Sequence, residues 1–313
     1  MGAIEVLRPG LLTTVQDLGR WGWQAWGVSV SGPMDPPSHR RANLLVGNPD
    51  RAATLEITAT GPELRFEDER VIAVTGASFV LDVDGQPVPA SAGVRVNRGG
   101  RLRFGRRLSG TRAYLAVSGG IAVDPVFGSR STHVPSRLGG FRGRALASGD
   151  RLPLGPDTGP PPSPGATPVD VPLTLPLKSG RARIRVLPSP HPTRFRADAL
   201  DRLQSGPYRV GPQSDRMGYR LEGPRLHASV AGSQLSEPSP AGSIQVPPGG
   251  DPILLMADCQ TVGGYPVVAT VIAADRGLAG QLGPGDALTF TVCTRQEAVS
   301  ALIALERTLM GPR

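Results

Sequence analysis

Apolar residues in this chain recur mostly at every second position, in short runs broken by Gly, Pro, Asn and Asp, which predicts strands joined by turns. Residues 71–88, VIAVTGASFVLDVDGQPV, predict two strands, the second running into an Asp84–Gly85 hairpin turn. Residues 101–123 predict two more. One segment breaks the rhythm. DPPSHRRANLLVGN (35–48) predicts a helix with Asp35 as its N-cap, Pro36 at its first position and Gly47 just past its end. Ala42, Leu45 and Val46 would form its buried face.

Residues 155–177 carry eight prolines in 23 positions with no helical period, so they mark a linker between an N-terminal β lobe (1–154) and a C-terminal lobe (178–313). In the second lobe, ARIRVLPSP, PILLMADCQ, PVVATVIAAD and DALTFTVCT predict strands. TRFRADALDRLQSG predicts a short helix ending at Gly206. The final helix opens with Thr294 and Glu297 at capping-box spacing, and Ala298, Leu302, Leu305 and Leu309 share a face expected to pack on the sheet. The fold class expected is therefore all-β with a few helices, in two lobes.

Composition narrows the function. The 41 Gly and 33 Pro lie scattered among apolar runs, as turns between many strands require. A net charge of +8 raises nucleic acid as a partner. However, the arginines are spread along the chain and aromatics make up 4%, whereas a nucleic-acid groove needs clustered basic residues interleaved with stacking rings. No apolar run approaches the roughly 20 residues of a membrane span, and the first residues lack the pattern of a secretory leader, so a cytoplasmic protein is expected. Cys259 and Cys293 lie in apolar runs and read as reduced core thiols. Lys178 is the only lysine, and it lies in the proline-rich segment. That excludes a P-loop, Schiff-base catalysis and a biotinylated lysine on this chain.

Familiar catalytic motifs are absent: no Gly-x-Ser-x-Gly elbow, no dinucleotide-binding glycine pattern, no Cys-x-x-Cys, and no paired histidines at metal-ligand spacing. Four polar clusters remain among the apolar strands. The first holds Gln16, Asp17 and Arg20, and the second Asp35, which serves either as a helix cap or at a helix end facing an anion. The third, PQSDRMGYRLEGP (212–224), holds Ser214, Asp215 and Arg216, either a turn-stabilising pair or a substrate contact. The fourth holds Glu237, Gln245, Asp258, Gln260, Thr261, Gly263, Gly264 and Tyr265. Such loops between strands are where binding residues concentrate.

The segments PGLLTTVQDLGRWGW, GVSVSGPMDPPSHRRANLLVGN, YLAVSGGIAVDPVFGSRST, SDRMGYRLEGP and DCQTVGGYPVVATVIAAD follow one another over nearly the whole chain. Together they resemble the family of 5-oxoprolinase C subunits, also known as allophanate hydrolase subunit 2 or the biotin-dependent carboxyltransferase family. The resemblance implies cyclophilin-like β-barrel lobes, a companion B subunit of related fold and a third, A subunit. It also implies ATP-dependent opening of the lactam 5-oxoproline to glutamate. Asp215, Arg216, Gln260 and Thr261 are then the expected catalytic residues. Gln16, Asp17, Arg20, Asp35, Ser214, Glu237, Gln245, Gly263, Gly264 and Tyr265 are the expected substrate or anion contacts, and no metal is expected. Arg216 and Arg20 would hold anionic groups, Asp215 would orient Arg216 or act as a base, and Gln260, Thr261 and the 263–264 amides would polarise the amide oxygen. ATP is expected at the complex, with no covalent biotin on this chain. Two alternatives follow from the same resemblance. One is a biotin-dependent carboxyltransferase component that acts on urea or a related amide, and the other is a regulatory protein that antagonises a kinase inhibitor.

Overall fold

The computed structural model describes residues 2–157, 180–229 and 235–310. The chain divides into two compact units, Met1–Arg20 with Ser31–Pro176, and Trp21–Val30 with Leu177–Arg313. The expected linker lies almost wholly outside the described residues. A linear boundary also misses one feature: the ten residues from Trp21 belong with the second unit, where Ser29 Oγ donates to the Cys259 carbonyl at 2.8 Å.

The first unit is an antiparallel sheet of β1 (Ala3–Arg8), β2 (Leu12–Gln16), β3 (Thr54–Thr58), β4 (Glu63–Phe66), β5 (Arg70–Val83), β6 (Gln86–Val88), β7 (Val94–Val96), β8 (Arg101–Val117) and β9 (Arg151–Pro153). The main path runs β2-β3-β8-β4-β1-β9, and β5 pairs with β6, β7 and β8. The two pairs of strands expected over 71–88 and 101–123 are in fact two long strands, β5 and β8, paired along their length. The ladder between them shifts register between Gly76 and Leu81, with the extra residues on β8 between Phe104 and Ala113.

The alternation of buried residues records that shift. Before it, Ile72 and Val74 of β5 enter the main core; after it, Ala77, Phe79, Leu81 and Val83 do, so the inward parity moves from even to odd. In β8 it moves likewise, from Leu102 and Phe104 to Ala113, Leu115 and Val117. An extra residue at a bulge turns every later side chain to the other face, which is why each strand reads as two. Gly76, at φ 84°, and Gly110, at φ 67°, supply the backbone at the break.

The opposite face of the same strands, Val71, Ala73, Tyr114 and Ala116, packs on Ala42 of α1 (Pro36–Leu45) and on its C-cap Val46. This is the predicted helix. Asp35 caps it by accepting from Ser38 N at 3.1 Å and Ser38 Oγ at 2.6 Å. Ser38, His39 and Asn43 are also buried, so this face is more polar than its apolar positions implied.

The second unit contains a closed barrel. Its strands are β10 (Arg181–Pro188), β11 (Tyr208–Val210), β12 (Gly218–Glu222), β14 (Ser243–Gln245), β15 (Ile253–Leu255), β17 (Val267–Val271) and β18 (Ala287–Val292). They close in the order β10-β17-β14-β15-β12-β11-β18, and β18 lies parallel to β10 while the other pairs are antiparallel. Ile184, Val186, Tyr208, Val210, Tyr219, Leu221, Leu288 and Phe290 are buried at alternate positions, as a filled barrel requires. A two-residue ladder, β13 (Glu237–Pro238) on β16 (Val262–Gly263), stands beside it in sequence.

Helices α2 (Ala199–Gln204), α3 (Arg276–Gly280) and α4 (Arg295–Met310) complete the unit. The capping box forms, with Thr294 N donating to Glu297 Oε2 at 2.7 Å and Glu297 N to Thr294 Oγ1 at 3.2 Å. One expectation for α4 is corrected: Leu309 is buried and Leu305 half-buried, but Leu302 is exposed, together with Val299 and Ile303. The stripe rotates off the core along the helix. Cys259 and Cys293 are free and buried, and burial pushes the Cys259 thiol up to about 11. No helix among the described residues is long and apolar enough to cross a membrane.

Candidate functional site

The expected site residues fall into two groups, one in each unit. In the first unit, β2 ends at Gln16 and delivers Asp17 against the segment 129–132. Asp17 Oδ1 accepts from Gly19 N (2.9 Å), Ser129 Oγ (2.5 Å) and Ser131 Oγ (2.7 Å), and Oδ2 accepts from Arg130 N (2.5 Å). A carboxylate with that many donors ties two loops together. Gln16 is fully buried and donates to Thr14 Oγ1 and Thr132 O, both at 3.0 Å. Arg20 is 1% exposed and donates through Nη2 to the Ser131 carbonyl. These residues are brought together by bonds within the first unit, and Arg20 is anchored there at the Ser131 carbonyl.

Asp35 acts as the cap of the helix. Its own N–H donates to Tyr114 Oη (2.7 Å), whose hydroxyl donates to Glu56 Oε2 (2.7 Å), where Met34 N also arrives (2.8 Å). Burial, and next the charge of Glu56, push the Tyr114 hydroxyl well above its ordinary value. His39 sits behind this group, with Nδ1 2.9 Å from Thr54 Oγ1 and Nε2 3.1 Å from Asp50 O. Complete burial lowers its pKa to about 4, so it is neutral near pH 7.

The second unit changes the picture of Arg216. Its Nε and Nη2 donate to Asp258 Oδ2 and Oδ1 at 2.8 and 2.9 Å, and the Asp258 N–H returns to the Arg216 carbonyl at 2.8 Å. Arg216 is 5% exposed and Asp258 is 1% exposed. The fork expected to grip an anion is engaged by a carboxylate of the chain itself, that of Asp258. Asp215 instead accepts from Met217 N (2.8 Å) and Gly218 N (3.2 Å), and Ser214 Oγ accepts from Arg220 N (3.0 Å). Ser214 and Asp215 therefore shape the turn that feeds β12.

Around β13 and β16 the fourth cluster assembles. Glu237 pairs with Arg194, whose hydrogen bond lowers the Glu237 carboxyl, and its backbone registers with Gly263. Ser239 N donates to Thr261 O (3.0 Å), Gln245 Nε2 to Ser239 Oγ (3.2 Å), and Gln260 Nε2 to Gln245 Oε1 (3.3 Å). Gln245 and Ser239 are buried, whereas Gln260, Thr261, Gly263 and Gly264 are half-buried and Tyr265 is exposed. A Cβ on Gly263 would stand 2.4 Å from Gln245 Nε2, so any side chain here would have to displace this amide. Of the four expected catalytic residues, Gln260 and Thr261 are half-buried and belong to neither the Asp215 turn nor the Arg216 ion pair. The sequence reading missed Ser239, Arg194, Ser129, Ser131, Tyr114 and Glu56. Ser129 and Ser131 do lie in one of the signature segments, where a hydroxyl run opposite a buried Asp was the available signal.

Residues 26–292 match the family described as carboxyltransferase domain, subdomain A and B. The chain is 39% identical over 298 residues to the C subunit of 5-oxoprolinase from Escherichia coli (strain K12), covering 95% of this chain and 94% of that one. It is 37% identical over 303 residues to urea amidolyase of Saccharomyces cerevisiae, covering 92% of this chain but 16% of that one. The crystal structure of the K. lactis urea amidolyase matches it with a TM-score of 0.90 at 32% identity, over 98% of this chain and 20% of that one. The chain thus corresponds to nearly all of the bacterial relative and to about a fifth or less of the two yeast enzymes.

Proposed function

We propose, from the premise that the chain belongs to the carboxyltransferase-domain family of paired subdomains A and B, that it serves as the C subunit of an ATP-dependent 5-oxoprolinase. The observation that carries this reading is the match to the bacterial C subunit from end to end, at 39% identity. Its place is in a cytoplasmic complex with a B subunit of related fold and an A subunit, and the reaction is hydrolysis of the lactam to L-glutamate.

Within that complex the chain's part is to receive and orient the amide. Gln260 and Thr261 stand half-buried on a backbone fixed at Asp258, Cys259 and Val262, where hydrogen-bond donors can polarise a carbonyl oxygen. The two arginines expected to hold anionic groups are engaged within the chain. The guanidinium of Arg216 is engaged by Asp258 and that of Arg20 by Ser131, both in buried settings. The reading keeps ATP at the complex and routes no step of this chain through it. Reconstitution of the three components tests the reading by ATP-dependent glutamate release from 5-oxoproline, lost when this chain is omitted.

A second reading is favoured by the match to the yeast urea amidolyases. In it the chain is the carboxyl-acceptor side of a biotin-dependent carboxyltransferase acting on urea, with biotin on another polypeptide. Carboxylation of urea by the assembled complex, in place of glutamate release, would establish it.

A further inference from the structure

The amide chain in the second unit has a fixed direction. Ser239 Oγ donates its single hydrogen to the Glu237 carbonyl at 3.2 Å, so towards Gln245 it can only accept. Gln245 must therefore turn its NH2 to Ser239, and its Oε1 faces Gln260 as an acceptor. Gln260 must in turn present its NH2 inward. A backbone carbonyl thus sets the orientation of two side-chain amides in series, which also settles their O and N positions.

Among the described residues no further hydrogen bond is made by the second hydrogen or the Oε1 of Gln260. Both groups belong to one planar amide on a half-buried residue, and they make a donor–acceptor edge when Gln245 takes the hydrogen anti to Oε1. The backbone beneath is held on both sides: Asp258 by Arg216, Cys259 by Ser29 and by its thiol contact with Ser239 O (3.8 Å), and Val262 and Gly263 by β13. Gln245 itself sits at a break in register, since Ile244 pairs with Ala269 and Gln245 with Val267. Bulges of this kind re-aim a side chain next to sites.

We infer that Gln260, aligned by Gln245 and Ser239, reads the cis edge of an amide, pairing its Oε1 with the substrate N–H and its Nε2 with the substrate carbonyl. A five-membered lactam holds N–H and C=O on one edge, and urea presents the same edge. An ordinary trans amide places them on opposite sides and cannot make both bonds. The substrate class is therefore cis-amides, lactam or urea, with trans peptides excluded. This rests on the amide-binding role above, but it is independent of whether the amide is hydrolysed or carboxylated.

The test compares binding of 5-oxoproline with its N-methyl derivative, and of urea with tetramethylurea, to the full chain by ligand-observed NMR or calorimetry. N-Methylacetamide is the trans control. The expected result is about tenfold weaker binding on N-methylation in the wild type, the worth of one net hydrogen bond. That discrimination should vanish in Gln260→Leu and weaken in Gln245→Leu, with the thermal unfolding of Gln260→Leu unchanged. The inference is overturned if no cis-amide binds, if N-methylation has no effect, or if Gln260→Leu still discriminates. A Gln260-dependent preference for urea in a complex that releases no glutamate would uphold it and refute the 5-oxoprolinase reading alone.

Discussion

Asp258 and Arg216, 42 residues apart in sequence, meet through both carboxylate oxygens with almost no solvent at either. The pair joins the turn before β12 to the loop that carries Gln260, and so fixes the backbone beside the candidate site. Removing one partner strands a buried charge. Asp258→Ala and Arg216→Ala are each expected to destabilise the chain by about 3–5 kcal/mol, and an apolar replacement of both by much less. Denaturant unfolding of the two single variants and the double variant measures this, and equal losses in all three would refute it.

The Asp17 carboxylate is similarly occupied, by four donors from its own turn and from the 129–131 segment. Asp17→Asn keeps the shape but turns one acceptor oxygen into a donor, facing groups that themselves donate. A loss of about 2–3 kcal/mol is expected, seen as a lower Tm. An anion-binding role would instead predict weaker ligand binding at unchanged stability.

His39 makes the first unit sensitive to acid. Its folded-state pKa, about 4, lies below the ordinary 6.5 because burial disfavours the imidazolium. Between those values the unfolded chain binds the extra proton, so stability falls as pH drops from 6.5 to 4 and levels off below. The expected loss is about 3 kcal/mol. His39→Gln should flatten that part of the stability–pH curve, and an unchanged slope would count against the assignment.

Gly263 passes over the Gln245 amide with no room for a methyl group. Gly263→Ala should displace Gln245 and with it Gln260, raising KM for the amide several-fold while Tm changes by no more than a few degrees. Steady-state kinetics of the assembled complex, beside a melting curve, separates this from general unfolding.

Local features were legible in the sequence because their partners are three or four residues away: the Asp35 cap on Ser38, the Thr294–Glu297 box and the Asp84–Gly85 turn, where both residues have positive φ. The strand-rich class was legible from alternation. The break in β5 was not, because a parity change at Gly76 looks like the end of one strand and the start of another until β8 is seen beside it. The partner of Arg216 was misread for a related reason. Asp215 is adjacent in sequence, but its carboxylate turns back to the amides of its own turn, and the carboxylate that reaches the guanidinium comes from another loop. Gln260 was legible as a polar residue at a strand end, but its direction depends on Ser239 and Gln245, which only the folded barrel brings beneath it.

The parallel neighbours β10 and β18 are also the first and last strands of the barrel, in register over six pairs from Arg181–Ala287 to Val186–Val292. The polypeptide therefore enters at one rim and leaves at the opposite one. Tension between those two points would pull the strands past each other lengthwise and load the whole ladder at once, where a hairpin would unzip bond by bond. A barrel closed this way is mechanically stiff along its axis, and single-molecule extension from residues 181 and 292 should register it as one late, high-force rupture.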